Sequence, residues 1–186
     1  MTVRTAMFLL LAATVVLAPV APASDRSASL YQMHEKLLSQ DGKAIDLDVY
    51  RGQPVLVTMF YGSCQATCPL IIDTLRSVER KLDEPQRRQL RVLLVSLDSE
   101  RDTPQALREV ADSRRIDTSR WTLAHADAAA VRRIAAALSI QYRQLPDGQF
   151  SHATVISALD ADGKILAQSE ELGHADPGLL SAISAR

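Results

Sequence analysis

Two hydrophobic periods alternate along the chain. Pro54-Val55-Leu56-Val57-Thr58-Met59-Phe60-Tyr61 is a nearly unbroken apolar run that stops at Gly62. Its β-branched and aromatic content predicts a strand buried on both faces. Over residues 69–82 the period changes: Ile71, Leu75, Val78 and Leu82 fall on one face of a helix, with Arg76, Arg80 and Lys81 elsewhere. Residues 91–97 repeat the buried-strand pattern. Asp102-Thr103-Pro104 sets a capping side chain ahead of a first-turn proline, which predicts a helix running to about Asp112. Residues 121–125 read as a short strand. Asp127 then caps a helix whose Val131, Ile134, Ala135 and Leu138 make an i, i+3, i+4, i+7 stripe.

The ends of the chain show hairpin signals. Residues 30–38 and 44–47 read as extended segments around the turn Gln40-Asp41-Gly42. Residues 153–159 and 164–168 flank a second turn, Asp160-Ala161-Asp162-Gly163, and residues 177–184 suit a last short helix. Strand and helix alternate through the middle and an antiparallel hairpin closes the chain. This order predicts an α/β fold with helices on a central mixed sheet and an N-terminal hairpin.

The first residues read as an address rather than as part of that fold. Arg4 precedes an apolar run over residues 6–17, and Ala21-Pro22-Ala23 has the small-x-small form of a cleavage site. Residues 1–23 are therefore expected to be a signal peptide and residues 24–186 one domain. The alternative is an uncleaved anchor, although Pro19 and Pro22 interrupt the run before it reaches the roughly 20 apolar residues a spanning helix needs. No cysteine stands near the segment to carry a lipid. Either reading predicts a periplasmic or otherwise exported, oxidising location, with membrane contact only through the N-terminus.

Composition narrows the function. With 21 Lys and Arg against 22 Asp and Glu, the chain lacks the basic excess that phosphate neutralisation demands, so nucleic acid is not an expected partner. The chain has 2 cysteines, Cys64 and Cys68, in Tyr61-Gly62-Ser63-Cys64-Gln65-Ala66-Thr67-Cys68-Pro69, between the central strand and its helix. On a helical turn, residues i and i+4 share a face. Their α-carbons would then lie about 6 Å apart, near enough for a disulfide or for two bonds to one metal ion. A helix N-terminus also favours thiolate, the form that both redox exchange and metal binding require. A purely structural disulfide would constrain little of the unfolded chain, because the loop it closes is so short.

These residues resemble the Sco/SenC family, thioredoxin-like copper proteins that help to assemble the copper centre of cytochrome c oxidase. Cys64-Gln65-Ala66-Thr67-Cys68-Pro69 is similar to the family's C-x-x-x-C-P. The segment from Ser96 through Asp98 and Asp102 to Pro104 matches S-x-D-x-x-x-D-T-P, and His152 stands where the family has its histidine ligand. The likeness runs from about Leu30 to Leu172. It departs at Ser151 and at Leu70, where many members have Asp.

The resemblance implies a thioredoxin-like fold and copper bound by Cys64, Cys68 and His152. Soft thiolates select Cu(I), and imidazole suits copper in either oxidation state. Three donors suffice for Cu(I), whereas Cu(II) calls for a fourth. Zinc is the rival metal, but structural zinc usually takes four protein ligands. His34, His125 and His174 are read as ordinary histidines and Trp121 as core. Asp98 is read either as a functional group at a strand end or as a turn residue.

Two functions follow. One is a metallochaperone delivering copper to an oxidase subunit. The alternative is a thiol–disulfide reductant in which Cys64 and Cys68 are the redox-active, catalytic pair. In both, a thioredoxin-like partner is expected to keep the thiols reduced.

Overall fold

The computed structural model describes residues 29–184; the expected signal or anchor segment lies outside them. Seven strands form one mixed sheet, in the order β2-β1-β5-β4-β3-β8-β9. At its centre, β3 (Val55–Phe60), β4 (Arg91–Ser96) and β5 (Trp121–His125) run parallel. All six residues of β3 are buried, as the unbroken apolar run predicts. Each fully buried Val or Leu in such a strand contributes roughly 1.5–3 kcal/mol relative to exposure.

Around that centre the sheet turns antiparallel. β1 (Lys36–Ser39) pairs with β5 and with β2 (Ala44–Asp46), forming the N-terminal hairpin. On the other side β8 (Ile156–Leu159) pairs antiparallel with β3, and β9 (Ile165–Ser169) with β8. The sheet is therefore mixed, and the fold is thioredoxin-like α/β.

Helices cover the sheet. α1 (Thr67–Lys81) links β3 to β4 and buries Ile71, Ile72, Leu75 and Val78. α3 (Pro104–Ser113) links β4 to β5. Both crossovers step the same way across the sheet, and right-handed connection puts their helices on one face. Consistently, the Arg76 guanidinium of α1 donates to the carbonyls of Arg114 and Arg115 beyond α3. α4 (Ala128–Ala137) starts at Asp127, whose carboxylate accepts from the N–H groups of Ala129 and Ala130, both at 2.8 Å. α5 (Pro177–Ser184) packs on α1 and β9. Among the described residues, no helix is long and apolar enough to cross a membrane.

One local expectation changes. Residues 30–38 are not extended throughout, since Leu30–Gln32 is a single 3₁₀ turn capped by the Ser29 hydroxyl. Leu30 and Tyr31 are both buried, and neighbours on a strand would point to opposite faces. The cap of α3 is Thr103, whose hydroxyl accepts from the Ala106 N–H at 3.2 Å, while Asp102 turns inward. Two further elements emerge. One is α2 (Glu84–Gln89); the other is a separate hairpin of β6 (Tyr142–Gln144) and β7 (Phe150–His152), which pairs only with itself.

Candidate metal centre

The parallel strands β3 and β4 end at the same level, with Phe60 opposite Ser96. Carboxyl ends of parallel strands are where open α/β sheets place functional groups. Residues 61–66 leave β3 there and lead into α1. This loop is held by Asp102, whose carboxylate accepts the Gly62 N–H at 2.7 Å and the Ser96 hydroxyl at 2.5 Å. A side chain at position 62 is disfavoured, because a Cβ would stand 2.7 Å from Oδ1, the other oxygen of that carboxylate. Burial raises the Asp102 pKa against the pull of these two donors.

Cys64 and Cys68 are free thiols, buried at 7% and 4% exposure. They do stand together, though not on one helical turn: Cys64 lies in the loop three residues before α1 begins, and the Cys68 backbone N–H points at its sulfur from 3.3 Å. Their ionisation is split. Burial works against the Cys64 thiolate, but the Cys68 thiol and the N–H groups of Cys68, Thr67 and Ala66 outweigh it. These donors hold the Cys64 pKa below the ordinary thiol value. Cys68 moves the opposite way, pushed well up by burial and further by the neighbouring Cys64 charge. One sulfur is thus poised as thiolate and the other as its hydrogen-bonding thiol.

His152 lies on the separate hairpin, at the end of β7. Its Nδ1 stands 3.0 Å from the Ala153 carbonyl oxygen. A carbonyl oxygen can only accept, so Nδ1 carries the hydrogen and Nε2 keeps its lone pair. Burial lowers the His152 pKa, which favours the neutral ring. A metal-binding imidazole needs both properties. The structure does not, however, gather His152 with the thiols: no three His, Cys, Asp or Glu residues stand close enough to hold a metal ion among the described residues.

Tyr61 is the group that links the two halves. Its ring meets the His152 ring edge-on, with centroids 6.0 Å apart, and packs against Phe150 at 5.3 Å. Its hydroxyl donates to the Gln149 side-chain oxygen at 3.1 Å and stands beside the Cys64 sulfur. Burial, then the adjacent Cys64, raises its pKa.

A family model described as SCO1/SenC matches residues 23–179. The chain belongs to the SCO1/SenC family. A protein described as a SCO1 homolog from Bacillus subtilis is 25% identical over 83 residues, 45% of this chain and 42% of that protein, so the match spans less than half of either. Solved structures of the family share the fold over most of the domain. ScoI of Bradyrhizobium japonicum, described with copper bound, superposes with a TM-score of 0.68 at 21% identity, covering 81% of this chain and 96% of that one. ScoI of Arabidopsis thaliana, also described with copper bound, gives 0.70 at 17%, covering 81% and 94%. Yeast Sco1 gives 0.67 at 15%, covering 81% and 93%.

Within this SCO1/SenC domain the remaining expectations sort by contact. Asp98 is a turn residue: its carboxylate accepts the backbone N–H groups of Arg101 at 3.1 Å and Glu100 at 3.3 Å, and it pairs with the Arg101 guanidinium. His125 Nδ1 donates to the Asp102 carbonyl at 3.1 Å, and His174 meets Glu171 at 2.7 Å. Trp121 is core, with its indole N–H on the Glu79 carboxylate at 3.0 Å. Tyr61 and Gln149, which stand between the thiol loop and the His152 hairpin, are not marked as site neighbours by the sequence motifs. Only Tyr61 carried a signal, as the polar-tipped aromatic that ends the central strand.

Proposed function

We propose that this chain is a copper metallochaperone that acts in an exported compartment and serves copper-centre assembly in cytochrome c oxidase. The observation that carries the reading is the donor set itself. A thiolate-biased Cys64 with Cys68 beside it faces, across Tyr61, an imidazole whose Nδ1 is tied to a carbonyl and whose Nε2 is free. Two soft sulfurs and one imidazole suit Cu(I), and the nitrogen makes Cu(II) accessible. In this reading Cys64 and Cys68 hold the ion as cargo and His152 supplies the third donor. The copper-bound ScoI relatives and the family match support it. An oxidase subunit is the copper acceptor.

A second reading is favoured by the split between the two thiols. A lowered Cys64 and a raised Cys68 are the pattern of an attacking and a resolving thiol. Cys64 thiolate would attack a target disulfide and release one target thiolate. Cys68 would then attack the mixed disulfide, leaving the target as a dithiol and this chain as a disulfide. A thioredoxin-like partner would supply the two electrons that reset it.

His152→Ala separates the readings. The reduced wild type is expected to retain one copper per chain by native mass spectrometry and to show thiolate–Cu(II) charge-transfer absorption. The variant is expected to lose that absorption while reducing a disulfide substrate at nearly the wild-type rate. Absence of retained copper in the wild type, or intact absorption with collapsed exchange in the variant, would make the chain a reductant first.

A further inference from the structure

The β6–β7 hairpin has no ladder partner in the main sheet, so side chains set where His152 stands. Tyr61 supplies one attachment. Another is Arg101, whose guanidinium pairs with the Asp98 carboxylate and also donates to the Gly148 carbonyl in the hairpin turn. The turn sits directly on that group: a Cβ at Gly148 would come 3.2 Å from Arg101 Nη1. The next residue, Asp102, grips the Gly62 N–H two residues before Cys64. Asp98 is buried and fixed by its own loop, with its N–H on the Ser96 hydroxyl at 2.9 Å. One rigid loop therefore holds the thiol segment with one residue and the histidine hairpin with its neighbour.

We infer that Arg101 is a positioning residue of the candidate copper site, its guanidinium spanning from the Asp98 carboxylate to the Gly148 carbonyl and so fixing the His152 hairpin against the thiol loop. The inference rests on the copper reading above. The span needs a planar fork with several fixed donors; a lysine ammonium is a single point charge and satisfies one end at a time. A residue serving only to neutralise Asp98 would be well replaced by lysine; a residue that spans both groups would not.

The test uses the full chain, wild type and Arg101→Lys, with Arg101→Ala removing both ends of the span. Two quantities are read: amide hydrogen exchange by mass spectrometry, and thiolate–Cu(II) absorption. Loss of a charge-assisted hydrogen bond is expected to speed exchange of hairpin amides 142–152 at least about tenfold. Amides of β3 and β4 should keep their protection, which shows that the variants fold. The Cu(II) band should weaken and shift in both variants. Unchanged hairpin exchange in Arg101→Lys would overturn the inference, as would a loosened hairpin with a wild-type Cu(II) band. A wild type without any Cu(II) band would sink the copper reading and with it the positioning role, while the exchange data would still show whether the contact restrains the hairpin.

Discussion

At the scale of single residues, the two cysteines differ although they stand side by side, Cys64 in the loop and Cys68 in the first turn of α1. Cys64 collects three backbone N–H groups and the Cys68 thiol, whereas Cys68 lies deeper and gains a like-charged neighbour whenever Cys64 ionises. A thiol ionises readily only where donors replace the water that burial removes. Reduced protein titrated with iodoacetamide, with peptides mapped by mass spectrometry, is therefore expected to alkylate at Cys64 first. The pH midpoint of that reaction should lie below the value of about 8.5 for a free thiol, and that of Cys68 above it. Equal midpoints would show that the N-terminal turn of α1 does not discriminate between them. The spacing of the pair was legible in the sequence. The split was not, because it depends on which sulfur the folded loop turns toward its own amides.

Elements show the same division. Elements were legible where an apolar face repeats, as in β3, β4, β5, α1 and α4, or where a cap or turn signal flanks the segment, as in α3, α5 and the β1–β2 and β8–β9 hairpins. Two elements lack a repeating apolar face: α2, held by polar contacts, and the β6–β7 hairpin, held by aromatic packing on Tyr61 and by Arg101. α2 buries no residue. Its start is set by a reciprocal pair, with the Asp83 carboxylate accepting the Gln86 N–H at 2.8 Å and the Gln86 side chain accepting the Asp83 N–H at 3.1 Å. That D-x-x-Q signature was present in the sequence but had no apolar stripe beside it. Asp83→Ala is expected to cost about 1 kcal/mol in urea unfolding. The loss should be larger than for Asp83→Asn, which keeps an acceptor. The hairpin's turn, Leu145-Pro146-Asp147-Gly148, likewise carries turn chemistry, with Gly148 at φ 79°. Its short strands lack the alternation that would have marked them.

Across the whole molecule, the N-terminal hairpin is fastened to α4 by one buried carboxylate. Glu35, 6% exposed, receives Arg133 at 2.5 and 2.7 Å. That hydrogen bond outweighs burial and lowers the Glu35 pKa from 4.5. The sign follows from linkage. A depressed carboxylate contributes stability that is present above its unfolded pKa and lost as pH falls through the folded value. Wild type is therefore expected to be more stable than Glu35→Gln at pH 7, with the gap closing as the pH falls below 4.5. Urea midpoints of both proteins across that range provide the check, and a gap independent of pH would assign the effect to packing alone.

The sequence by itself determined the α/β order, the buried centre of the sheet, the pairing of Cys64 with Cys68 and the family likeness. Each of these depends on periodicity or on spacing within a few residues, which the chain carries locally. Tertiary structure alone decided that Asp102 holds the cysteine loop, and that Tyr61 stands between the thiols and His152. It also decided that Arg101 reaches across to the hairpin turn 47 residues away. These contacts join segments far apart in the chain, through side chains whose direction is fixed only once the sheet has brought the strand ends level.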